Sequence, residues 1–103
     1  MPAHQVLDMA TRHGASALGL PSGSLEIGKD ADLVLINPQK VHAWGGGEPA
    51  SALVYAMTPA CIERVWIQGD LLVENGSVIG WSTEETIEGC QQSLRRIMET
   101  IPT

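Results

Sequence analysis

The chain has 103 residues, 12 acidic and 6 basic side chains and a formal charge of −6, with 44% of its residues hydrophobic. That length suits one small domain and falls short of the roughly 200 residues that a catalytic barrel needs. The acidic balance argues against a nucleic-acid partner, because phosphate binding needs clustered Lys and Arg and only Arg95 and Arg96 are adjacent. No apolar run reaches membrane-span length, and the stretch from Met1 to Asp8 lacks the layout of a signal peptide, so a cytoplasmic location is expected.

In chain order, Pro2 followed by Val6, Leu7, Ala10, Ala17 and Leu18 predicts a helix over 3–18, stopped by Gly19 and Pro21. His4, Asp8 and Arg12 fall on its exposed face, and Gly14 inside it suggests a close approach to another element. Ser24-Leu25-Glu26 reads as a brief extended piece before the turn residues Gly28, Lys29 and Asp30. Residues 31–37 read as a strand, and the unbroken run Leu33-Val34-Leu35-Ile36 predicts that both of its faces are covered.

Residues 38–48 look irregular and end in Gly45-Gly46-Gly47, after which Pro49 to Met57 suits a short helix. Strands follow over 62–68, 71–74 and 77–79, joined by turns at Gly69-Asp70 and Asn75-Gly76 into an antiparallel meander. Ser82 and Glu85 have capping-box spacing, and Ile87, Cys90, Leu94, Ile97, Met98 and Ile101 share one stripe, so a terminal helix spans 83–100. The predicted fold is α+β, with short antiparallel strands between two helices.

Few residues suggest chemistry. His4, His13 and His42 are isolated and form no H-x-H or H-E-x-x-H pair, so they read as ordinary surface histidines. Cys61 and Cys90 sit in apolar patterns and are expected to be buried, inert thiols. The triple glycine lacks the Lys-Ser/Thr ending of a phosphate loop, and Glu84, Glu85 and Glu88 fit the positive end of a helix dipole. Trp44, Trp66 and Trp81 are expected in core or interface, because the chain has no Phe.

The order of the segments is more specific. The stretch 5–20, then Gly23-Ser24-Leu25-Glu26-Ile27-Gly28-Lys29-Asp30-Ala31-Asp32-Leu33-Val34-Leu35, resembles the C-terminal part of an amidohydrolase-superfamily enzyme. Ser51 to Ala56, Val65 to Gly69 and Val73 to Gly76 resemble its chlorohydrolase and aminohydrolase branch, which includes triazine hydrolases and deaminases.

The resemblance implies a late barrel helix at 3–18, half of a composite β-sandwich at 22–80 and a closing helix at 82–101, all in one domain. The family's catalytic and metal residues, which hold a divalent ion such as zinc or iron, lie on a barrel upstream of these segments. No catalytic, metal or cofactor position is therefore carried over. The matching residues Gly23, Gly28, Lys29, Asp32, Gly69 and Gly76 are expected to shape turns and the entry to a strand.

The missing half implies a homo-oligomer, or a partner chain covering an open strand edge. Three readings follow: an accessory piece of a metal-dependent hydrolase; a stand-alone structural or oligomerisation module that completes or regulates a partner; and, third, a ligand-binding module built on the tryptophans.

Overall fold

The computed structural model describes residues 1–41 and 46–102. His42, Trp44 and Gly45 lie outside them. The first helix, α1, runs through residues 3–18, with α-helical ends and a π-helical middle at Met9–His13. In that wider turn the Thr11 hydroxyl donates to the Leu7 carbonyl at 2.8 Å, while Arg12 pairs with Asp8 at 2.8 Å on the exposed face. Gly19 closes the helix with a φ of 69°, letting Leu20 N–H reach the Ala15 carbonyl at 2.9 Å.

The segment 21–32 is a closed loop, not the extended piece expected at 24–26. Asp30 N–H donates to the Pro21 carbonyl at 2.7 Å, which draws the two ends together. Gly23 lies directly on α1, where an added Cβ would come within 2.7 Å of the Thr11 carbonyl oxygen and 2.9 Å of the Ala15 Cβ. The close approach expected of Gly14 therefore belongs to Gly23. A Cβ on Gly14 would meet only the Met9 carbonyl of its own helix, at 3.1 Å.

Four strands form one antiparallel sheet in the order β1 (Leu33–Ile36), β2 (Ile62–Ile67), β3 (Asp70–Glu74) and β4 (Ser77–Val78). Leu33 faces Trp66 and Val34 faces Val65, while Val65 also faces Val73 on the other side of β2. The turn from β2 to β3 is Gln68-Gly69, one residue earlier than predicted, and both residues have positive φ, 51° and 84°. Asn75-Gly76, at 51° and 77°, makes the next turn as expected.

Between β1 and β2 lie a 3₁₀ turn at Pro38–Lys40, the short helix α2 over residues 49–56, whose second part is π-helical, and a further 3₁₀ turn at Pro59–Cys61. The start of α1 packs against α2, with Ala3 and Ala52 both buried. Val41, Ala52 and the fully buried Cys61 form the small core, flanked by Ile36, Ala56 and Met57. The last helix, α3 (Thr83–Thr100), begins and ends as predicted, and Ser82 Oγ accepts the Glu85 N–H at 3.2 Å.

Two expectations about covering fail. Val34 and Leu35, which point to opposite faces of β1, are 54% and 42% exposed, so the strand is not enclosed on both sides. Cys90 is exposed, as is every residue of α3. The molecule measures 54 × 34 × 28 Å with a radius of gyration of 18.4 Å, where about 13 Å is usual for this length. Its accessible surface of 8160 Å² exceeds the roughly 5,600 Å² of a compact 11.0 kDa monomer.

Candidate functional site

The motif residues Gly23, Gly28, Lys29 and Asp32 come from the loop and strand entry after α1, and Gly69 comes from the turn at the far end of β2. The antiparallel register brings Asp32 and Gly69 together. Asp32 Oδ1 accepts the Gln68 N–H at 2.8 Å, and Gly69 N–H donates to the Ala31 carbonyl at 3.0 Å. These two bonds clamp the β2–β3 turn to the start of β1, which fixes the register of the sheet.

Gly23 and Asp32 also line one shallow cavity of about 360 Å³ against α1, beside Thr11 and Ala15. Lys29 lines a neighbouring cleft of about 410 Å³ with Arg12, Ser16 and Glu26. Gly28 and Gly76 have open space where a Cβ would be, so they serve backbone conformation alone. The motif therefore splits into a clamp (Asp32, Gly69), a contact with α1 (Gly23) and two free turns. Lys29 N–H closes a tight turn by donating to the Glu26 carbonyl at 3.2 Å.

Gln68 was missed in the sequence because its role depends on a residue 36 positions away. Asn37 was missed too. Its amide Nδ2 donates to Glu63 Oε1 at 3.0 Å and its Oδ1 accepts the Gln39 N–H at 3.0 Å, bracing the end of β1 against β2. The one available signal was an Asn directly before Pro38, a turn-forming pair.

Among the described residues, chemistry-bearing side chains do not converge. His4 and His13 are exposed on α1, and no group of three His, Cys, Asp or Glu among the described residues could hold a metal. Cys61 Sγ donates to the Lys40 carbonyl at 3.0 Å inside the core. Trp66 is half-buried in β2 and Trp81 is 73% exposed beyond β4. A hollow of about 220 Å³ beside the core is lined by Ile36, Pro38, Val41, Pro49, Ala52 and Leu53, none of which can donate or accept a proton. No helix among the described residues is long and apolar enough to cross a membrane.

The chain matches known proteins in sequence and in fold. The family model of the amidohydrolase family matches residues 1–72, more than half of the chain. The chain belongs to the amidohydrolase family. The amidohydrolase match takes in α1, the loop, β1 and the clamp at Gly69.

A 5-methylthioadenosine/S-adenosylhomocysteine deaminase of Moorella thermoacetica is 40% identical over 87 residues, covering 82% of this chain. A 5'-deoxyadenosine deaminase of Methanosarcina acetivorans is 33% identical over 98 residues, covering 95%. Among solved structures, a zinc-bound adenosine deaminase from Xanthomonas campestris superposes with a TM-score of 0.89 at 31% identity over 96% of this chain. A triazine hydrolase from Arthrobacter aurescens superposes at 0.79 with 29% identity over 89%. The chain spans only 20% and 23% of the length of the two deaminases compared by sequence, and 23% and 20% of the two structures.

Proposed function

We propose that this chain is the C-terminal accessory region of a metal-dependent amidohydrolase, and that the whole enzyme hydrolyses the exocyclic amino group of an adenosine-type nucleoside. The observation that carries the reading is the extent of the match: nearly all of this chain superposes on less than a quarter of a zinc-bound adenosine deaminase, at a TM-score of 0.89. The sequence relatives are deaminases of adenosine derivatives, which favours deamination over dechlorination.

In this reading the sheet is half of a composite β-sandwich. Strand β1, with an open edge and exposed side chains on both faces, is where other strands of the enzyme would join. In this reading the residues that hold the metal and activate water belong to the remainder of the enzyme. This chain's contribution is mechanical: the Asp32 clamp holds the sheet in register, and Gly23 seats the loop on α1.

The test is a chimaera in which this chain replaces the corresponding segment of the Xanthomonas deaminase, assayed for ammonia release from adenosine, beside the isolated chain supplied with zinc. Activity of the chimaera with none from the isolated chain is expected. Turnover by the isolated chain would overturn the assignment. The second reading, a module that pairs with another chain, draws on one observation, the exposed apolar stripe of α3.

A further inference from the structure

We propose that Asn75-Gly76 is a self-modifying site, at which Asn75 loses its side-chain amide to give aspartate and isoaspartate. The step needs no second protein. The backbone nitrogen of Gly76 attacks Cγ of Asn75 and forms a C–N bond; its proton goes to the side-chain amide nitrogen, which leaves as ammonia. Water then opens the five-membered imide at either of its two carbonyls, giving an ordinary or a β-linked aspartate.

The surroundings single out this asparagine. The chain's other one, Asn37, precedes Pro38, whose nitrogen has no proton to give up, and its side chain is held by Glu63 and by Gln39 N–H at 3.0 Å each. Asn75 is exposed, and neither its side chain nor Gly76 N–H has a hydrogen-bond partner among the described residues. Nothing lies within 4 Å of the Gly76 Cβ position, so the turn has room to move.

The other turn of the meander supplies the contrast. Gln68-Gly69 has the same backbone form, with φ of 51° and 84° against 51° and 77° at Asn75-Gly76. There the glycine nitrogen is engaged, donating to the Ala31 carbonyl at 3.0 Å, and Gln68 N–H is held by Asp32 at 2.8 Å. Attack at Asn75 requires rotation about its Cα–C bond, so the turn must first open. The strand that follows it, β4, has two residues at the sheet edge, held by the pairs Val73–Val78 and Glu74–Ser77 and by Ile79 N–H on the Leu72 carbonyl. So short an edge opens more readily than a clamped central turn. Isoaspartate adds a backbone atom to the two-residue turn and breaks the Glu74–Ser77 pairing, whereas aspartate suits the turn and leaves it intact.

The unaltered chain, kept at mildly alkaline pH and mapped by fragmentation in a mass spectrometer, should gain the deamidation mass at Asn75 and not at Asn37, with ammonia and isoaspartyl groups rising together. Gln68→Asn installs the same dipeptide in the clamped turn. Two hydrogen bonds must break there before Gly69 can attack, so position 68 should convert about thirtyfold more slowly than position 75. Adding Asp32→Ala removes one of them and should narrow the gap about fivefold. In urea both positions should convert alike. Should the variants unfold, amide hydrogen exchange of the unaltered chain still decides, with Gly76 N–H expected to exchange faster than Gly69 N–H. The proposal is overturned by an Asn75 that stays intact while the urea-unfolded chain converts, by equal rates at positions 68 and 75 in folded Gln68→Asn, or by slower exchange at Gly76 than at Gly69.

Discussion

Replacing Gly23 by Ala tests the contact that seats the loop on α1. The added Cβ would lie 2.7 Å from the Thr11 carbonyl oxygen and 2.9 Å from the Ala15 Cβ, both inside contact distance, and neither neighbour is the end of a flexible side chain. Gly23 also has a φ of 96°, which costs an alanine about 1–2 kcal/mol. Overpacking adds about 1–3 kcal/mol, so the total is roughly 3 kcal/mol.

Gly28→Ala is the internal control. Its φ is 92°, nearly the same, but nothing lies within 4 Å of its Cβ position, so only the backbone cost of about 1–2 kcal/mol applies. Urea titrations of both variants, followed by Trp fluorescence, should separate them by about 2 kcal/mol, with Gly23→Ala the less stable. Equal midpoints would refute the close contact between loop and helix.

Further consequences follow from single bonds. Asp32→Ala should cost about 1 kcal/mol and speed amide hydrogen exchange at Gln68 and Gly69, while Asp32→Asn, which keeps the acceptor oxygen, should cost less. Gln68→Asn puts Asn-Gly into a turn whose first residue has a φ of 51°, and should stabilise the chain by about 0.5 kcal/mol in the same titration. Ser82→Ala removes the cap on Glu85 N–H and should cost α3 about 1 kcal/mol, read as loss of helical ellipticity. Cys61, fully buried, should react with a thiol reagent only on unfolding, whereas exposed Cys90 should react quickly in the folded chain.

Features encoded locally were legible in the sequence. Both ends of α3 could be read from Ser82 and the apolar stripe, and the Asn75-Gly76 turn from a dipeptide that suits positive φ. What depended on distant residues was not. The β2–β3 turn lies one residue early because Asp32, far away in sequence, holds Gln68 in a conformation that Gln does not favour. The π-helical middle of α1 left no signal in the spacing of its apolar residues. Cys90 was misjudged because periodicity shows which residues share a face, and not whether anything covers it. The motif glycines were picked out by resemblance, and their separate duties emerge only from the space around each.

The exposed area bears on the proposed accessory role. The surface exceeds that of a compact monomer by roughly 2,500 Å². Part of it lies on α1, where Leu18 is 76% exposed, on the loop, where Leu25 is 86% exposed, on both faces of β1 and along α3, where Leu94 is 59% exposed. These surfaces belong to four different elements, so no single small contact would cover them. An area of that size matches an interface within one large folded unit, which is what the accessory role in a larger hydrolase calls for.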